Sequence, residues 1–224
     1  MNPETERLRL FVAALLPEET RELLASFVGK VKDLFPGYRF VAPESWHITL
    51  QFLGEVPSSS VEDIVEALSR ASRAKEAFKV SFCEAGAFPE RGMPRILHIA
   101  ATGGREPLSD LARDVRSSLF ALGYGDSKPF APHITLARER RGTPPNARGY
   151  QRTGHRTADV RSAWKDCFDR FLKEEGSKPE WEVKDLVLMR SILRPEGAQY
   201  TPLAAIDLPG TEVRSLSNTR THSL

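Results

Sequence analysis

Hydrophobic residues recur along this chain with two different periods. Leu23, Leu24, Phe27, Val28, Val31, Leu34 and Phe35 keep the three-to-four-residue spacing of a helix that buries one side. A second such helix, opened by Pro107 and capped by Gly123, carries Leu108, Leu111, Ala112, Val115, Leu119 and Leu122. Two more are predicted, one after Ser58-Ser59-Ser60 through Val61, Ile64, Val65 and Leu68, the other through Val160, Trp164, Cys167, Phe168 and Phe171. Strands are predicted over residues 7–14, 47–53, 78–85, 95–101, 133–138, 183–193 and 199–206. Strands and helices mix without the regular alternation of a doubly wound parallel sheet, so the expected class is α+β with antiparallel pairing.

The same tetrapeptide, His-Ile-Thr-Leu, occupies residues 47–50 and 133–136 and uses two of the five histidines in 224 residues. It begins twelve residues after Phe35 and eleven after Leu122, and a further helix follows each copy. The order helix, loop, strand, helix is therefore repeated, which implies two pseudo-symmetric lobes, each an antiparallel sheet with helices outside, and a cleft between them. In an extended strand alternate side chains share a face, so His47 and Thr49 project together about 7 Å apart while Ile48 and Leu50 turn to the core. The same parity applies to His133 and Thr135. Two imidazoles and two hydroxyls converging across a cleft suit acid–base chemistry on a small anion such as a phosphate.

Composition narrows the class. Hydrophobic content of 40% supplies an ample core, and the longest aliphatic or aromatic run, residues 10–16, is far too short for a membrane span. Cys83 and Cys167 have no ligand-like companions in sequence, so two free thiols in a reducing cytoplasm are expected. Net charge is only +2, but 23 of the 32 basic residues are arginine, the side chain whose planar fork matches phosphate. Residues 138–161 hold seven arginines against Glu139 and Asp159, an excess of five positive charges beginning beside the second tetrapeptide. The expected organisation is one bilobal domain over 1–210, with an Arg-rich insertion at about 139–157 and a polar, disordered tail over 211–224.

With those residues laid out, the chain resembles the 2H phosphoesterase superfamily, and within it the RNA 2′,3′-cyclic phosphodiesterases historically called 2′-5′ RNA ligases. The resemblance runs from about Arg7 to Leu208. It includes residues 9–13 of the first strand, 47–54, 132–138, and a closing segment with Arg190-Ser191, Pro195, Gly197 and Tyr200-Thr201. The long Arg-rich stretch after Arg138 and the tail depart from the pattern. The resemblance implies hydrolysis of RNA 2′,3′-cyclic phosphate ends to 2′-phosphomonoesters, with His47 as proton donor, His133 as proton acceptor, and Thr49 and Thr135 on the phosphate oxygens. It implies no metal or other cofactor, no membrane association, a cytoplasmic location and a monomer. From the residues alone the two histidine roles are interchangeable.

Secondary candidates carry competing readings. Arg138 matches a basic residue used near the phosphate, yet strict parity sends it to the face opposite His133 unless a twist or bulge turns it inward. Phe11 is either a ring for stacking on a base or plain core. Phe52 shares parity with Ile48 and Leu50 and is expected in the core. His98 is expected to be a satisfied strand residue rather than a third catalyst. Functional alternatives are RNA 2′-5′ ligation or opening of ADP-ribose cyclic phosphate in the same cleft, a non-catalytic RNA-end-binding module, or a metal hydrolase using His47, His98 and His133. The last lacks any His-x-x-x-His or carboxylate cluster at ligand spacing.

Overall fold

The computed structural model describes residues 6–125, 128–140, 159–194, 197–209 and 213–216. Strands β1 (Arg7–Leu15), β2 (Tyr38–Phe40), β3 (His47–Pro57), β4 (Phe78–Phe88) and β5 (Ile96–Gly103) precede β6 (His133–Glu139), β7 (Glu180–Val183), β8 (Asp185–Arg194), β9 (Gly197–Asp207) and β10 (Val213–Ser215). Helices α1 (Glu18–Val31), α2 (Val61–Ser72), α3 (Arg105–Phe120) and α4 (Val160–Glu175) stand where the apolar periodicity predicts them. The fold is α+β, with one antiparallel sheet ordered β10, β9, β8, β1, β3, β6, β5, β4, β7, and β2 added against β6. Three features escape the sequence pattern. β2 is only three residues long, the stretch 183–193 breaks at Lys184 into β7 and β8, and β10 pairs with β9 inside the stretch expected to be a tail.

The two halves of the sheet meet at β3 and β6, where Ile48 stands opposite Ile134. Helix pairing crosses between the repeats. α1, which precedes the first tetrapeptide, packs on α4, which follows the second, and α2 packs on α3 in the same crossed sense. Phe27 of α1 lies 5.0, 5.1 and 5.2 Å from the rings of Trp164, Phe168 and Phe171 on α4. Each such fully buried ring stabilises the fold by about 1.5–3 kcal/mol. Ile48, Leu50, Ile134, Leu136, Leu97 and Ile99 complete that core from the sheet side. Core and helices thus claim one face of β3 and β6, which leaves the other face to His47, Thr49, His133 and Thr135.

Each tetrapeptide ends in a bulge at its leucine. On β3, Ala13 pairs with Thr49 and Val12 with Gln51, so Leu50 is the extra residue. On β6, His98 pairs with Thr135 and Leu97 with Ala137, so Leu136 is the extra residue. A bulge reverses the in–out alternation beyond it. Leu50 and Gln51 are consequently both buried, as are Leu136 and Ala137. The residues five positions after each histidine, Phe52 and Arg138, emerge on the face that carries the histidines.

Candidate active site

His47 and His133 are oriented alike. The Nδ1 of His47 lies 2.8 Å from the Ser45 carbonyl oxygen, and the Nδ1 of His133 lies 2.7 Å from that of Ala131. A carbonyl only accepts, so each Nδ1 carries the proton and donates it two residues upstream. That leaves each Nε2 as the working atom, a base when bare and an acid when protonated. The Thr49 hydroxyl lies 3.0 Å from Nε2 of His47. Because Ile48 faces Ile134 in an antiparallel pair, the register sets His47 across from Thr135 and Thr49 across from His133. The four side chains singled out by the repeat are brought onto one surface.

Two different walls flank the two histidines. Phe11 sits 4.9 Å from the His47 ring and Tyr200 meets that ring edge-on at 5.2 Å. Phe11 is 2% exposed, whereas Phe52, 5.9 Å from it, is 49% exposed. The expectation that Phe52 is core is therefore overturned, because the Leu50 bulge turns it outward. Around His133 stand Phe88, at 5.0 Å, and His98, at 5.1 Å. His98 is not the satisfied residue expected: its Nδ1 is buried with no hydrogen-bond partner among the described residues. Arg138 is exposed at the far end of β6, and its positive charge reaches both His47 and His133. The Leu136 bulge supplies the inward turn that strict alternation denies it.

Enclosure shifts these groups. Burial, joined by the charges of Arg138 and His133, pushes His47 down to about 4 against the opposing pull of its Ser45 bond. His133 is lowered by burial and by Arg138, with the Ala131 bond opposing. Both imidazoles are therefore neutral at pH 7 in the free protein, and a phosphodiester anion beside them favours the protonated forms.

Other candidates fall into place or out of it. No group of three or more His, Cys, Asp or Glu among the described residues is arranged to hold a metal ion. No helix there is long and apolar enough to cross a membrane. Arg140 donates to the Tyr38 carbonyl, and Arg161 donates to the carbonyls of Ala87, Pro89 and Gly92, so both tie down neighbouring backbone. Arg141, Arg148, Arg152, Arg156 and His155, in the Arg-rich stretch, lie outside the described residues, as does His222. Cys167 is buried and Cys83 half-buried, both as free thiols.

Known proteins resemble this chain in sequence and fold. Residues 15–98 match the family of LigT-like phosphoesterases. An RNA 2′,3′-cyclic phosphodiesterase of Archaeoglobus fulgidus is 34% identical over 89% of this chain and 100% of its own length. One of Thermus thermophilus is 33% identical over 92% of this chain and 93% of its own length. Among solved structures, a protein of Thermus thermophilus superposes with a TM-score of 0.69 at 32% identity, covering 92% of this chain and all of the other. LigT of E. coli, solved with 3′-AMP, gives 0.64 at 26% identity, covering 91% of this chain and 99% of the other. With identity above 30% across nearly the whole length and two tetrapeptides meeting on one sheet face, this chain belongs to the LigT-like (2H) phosphoesterase family.

Proposed function

We propose that this enzyme opens 2′,3′-cyclic phosphate ends of RNA to 2′-phosphomonoesters by two-histidine acid–base catalysis. The observation that carries the reading is the matched pair of imidazoles, each held at Nδ1 by a carbonyl two residues upstream and each turned to the same face. His133 Nε2 takes a proton from water, the resulting oxygen bonds to phosphorus, the bond from phosphorus to O3′ breaks, and His47 Nε2 protonates O3′. Thr49 and Thr135 donate to the non-bridging oxygens as their negative charge grows.

The unequal walls favour this division of roles. In an in-line displacement the leaving O3′ and the entering water stand on opposite sides of phosphorus, so the nucleoside lies on the acid's side. The ring of Tyr200 borders His47, and exposed Phe52 adjoins the Phe11 ring that backs it, where a base needs an aromatic surface. Phe11, almost fully enclosed, backs His47 and Phe52 from beneath. Arg138, whose charge reaches both imidazoles, suits the phosphate between them. Joining RNA ends would put a ribose 5′-hydroxyl where the water stands, and no residue among those described selects that nucleophile over water.

Product analysis on a defined RNA ending in a 2′,3′-cyclic phosphate, run with a chelator, tests the proposal. The expected product is a 2′-phosphomonoester formed at an undiminished rate. A 3′-phosphate, or no turnover, overturns it. Arg138→Gln removes a charged contact worth about 1.5–3 kcal/mol, so KM should rise about 10- to 100-fold. It also removes a cation that lowers both histidines, so the pH–rate profile should move toward higher pH. A profile that stays in place would separate Arg138 from the histidines.

Thr49→Val and Thr135→Val keep side-chain shape and delete a hydroxyl. Each should lower kcat/KM by about 10- to 1,000-fold, less than loss of a histidine, because proton transfer persists. Wild-type kinetics for Thr135→Val would remove that hydroxyl from the reaction.

A further inference from the structure

His98 stands on β5 opposite Thr135 of β6, on the cleft side of the sheet, and is 6% exposed. Its ring stacks on Phe88 at 4.2 Å with the planes 19° apart. On the neighbouring strand only a glycine leaves room for it: a Cβ at Gly86 would lie 2.6 Å from its Nε2. Its main chain is pinned as well, since Trp164 Nε1 donates to the His98 carbonyl at 2.9 Å. The turn that follows Phe88 is held by the three carbonyl bonds of Arg161. Everything around this ring holds it still. What it holds in turn is His133, whose ring it meets at 5.1 Å and 64°, with Phe88 meeting the same ring at 5.0 Å and 80°.

An enclosed imidazole nitrogen without a partner costs about 1–3 kcal/mol, so its retention here calls for a reason. His133 is tied by one hydrogen bond at Nδ1, which fixes its tautomer and restrains its ring through a single contact that can bend unless something else backs the ring. Two rings set side by side against it do so. We propose that His98 is a positioning residue that, with Phe88, fixes the plane of the His133 ring and so aims Nε2 at the water. The inference rests on the reading of His133 as the proton acceptor.

His98 suits the task because it adds no proton of its own. Burial, then the charges of His133 on β6 and Arg161 on α4, push it down to about 3, so it stays neutral around pH 7. Its removal would also admit water behind His133 and relieve part of the burial that depresses that group. Misaiming a catalytic group by about 1 Å costs on the order of 100-fold in rate, and it does so after substrate has bound.

Three variants test this on the full chain. His98→Ala removes the wall, Phe88→Leu removes its stacking partner, and Gly86→Ala pushes a methyl against the Nε2 edge while leaving His98 present. In each folded variant kcat on a 2′,3′-cyclic mononucleotide should fall about 10- to 100-fold with KM within about threefold. The ring ¹H–¹⁵N signals of His133 should shift, and in His98→Ala their titration should move up toward the ordinary histidine range. If His98→Ala does not fold, the other two variants decide. Unchanged kcat together with an unchanged His133 titration overturns the proposal, and so does a KM that rises in step with the loss of kcat. A wild-type protein that fails to open any cyclic phosphate refutes the reaction instead, while the ring signals still report on the contact between His98 and His133.

Discussion

His47→Ala and His133→Ala should each lower kcat by about 100- to 10,000-fold, or roughly 3–5 kcal/mol of barrier, with the fold retained. Both rings are held at Nδ1 by backbone and neither fills the main core, so their removal strips chemistry rather than packing. The double variant should lose less than the product of the single effects, because one reaction needs both groups at once. Near wild-type turnover in His47→Ala would refute the assignment. The pH dependence gives a second check. In the free protein His47 titrates at about 4 and His133 below its usual range, whereas a bound phosphodiester anion raises both. The limbs of the kcat profile should therefore lie at higher pH than those of kcat/KM. Coincident profiles would mean that substrate charge does not reach the imidazoles.

The repeat and its consequences are legible in the sequence because they rest on local rules. Period two alone places His47 beside Thr49 and His133 beside Thr135, and period 3.6 marks all four helices. What stays hidden is set by pairing. Nothing in residues 47–54 shows that Leu50 lacks a partner on β1, yet that one extra residue sends Phe52 out of the core and into the cleft. The matching bulge at Leu136 decides the question that parity leaves open for Arg138. His98 escapes the sequence for a related reason. Its neighbourhood is an ordinary apolar strand, and only the β5–β6 register lays it against His133. The two bulges occupy equivalent places in the repeat, but the residues they expose differ. The fold repeats, while an exposed aromatic after the first tetrapeptide and an exposed cation after the second make its two halves differ.

Acidification should destabilise the protein well before its carboxylates are exhausted. An unfolded histidine titrates near 6.5, whereas folded His47 and His98 titrate at about 4 and about 3, each lowered chiefly by burial. Between those values the unfolded chain binds protons that the folded chain refuses, so unfolding is favoured as pH falls, and the stability in question is fully present only above about pH 6.5. Lowering the pH from 7 to 4.5 should remove on the order of 3–5 kcal/mol through these two groups together, with His133 adding in the same direction. Urea unfolding at a series of pH values measures the slope. Carboxylates contribute to any such slope, so His47→Gln and His98→Gln supply the comparison. Each should flatten the dependence between pH 6.5 and 4.5 even if it lowers stability at pH 7. A slope unaffected by both substitutions would show that the two imidazoles gain their protons as easily in the folded protein as in the open chain. In that case the enclosure that lowers His47 and His98 would not exist.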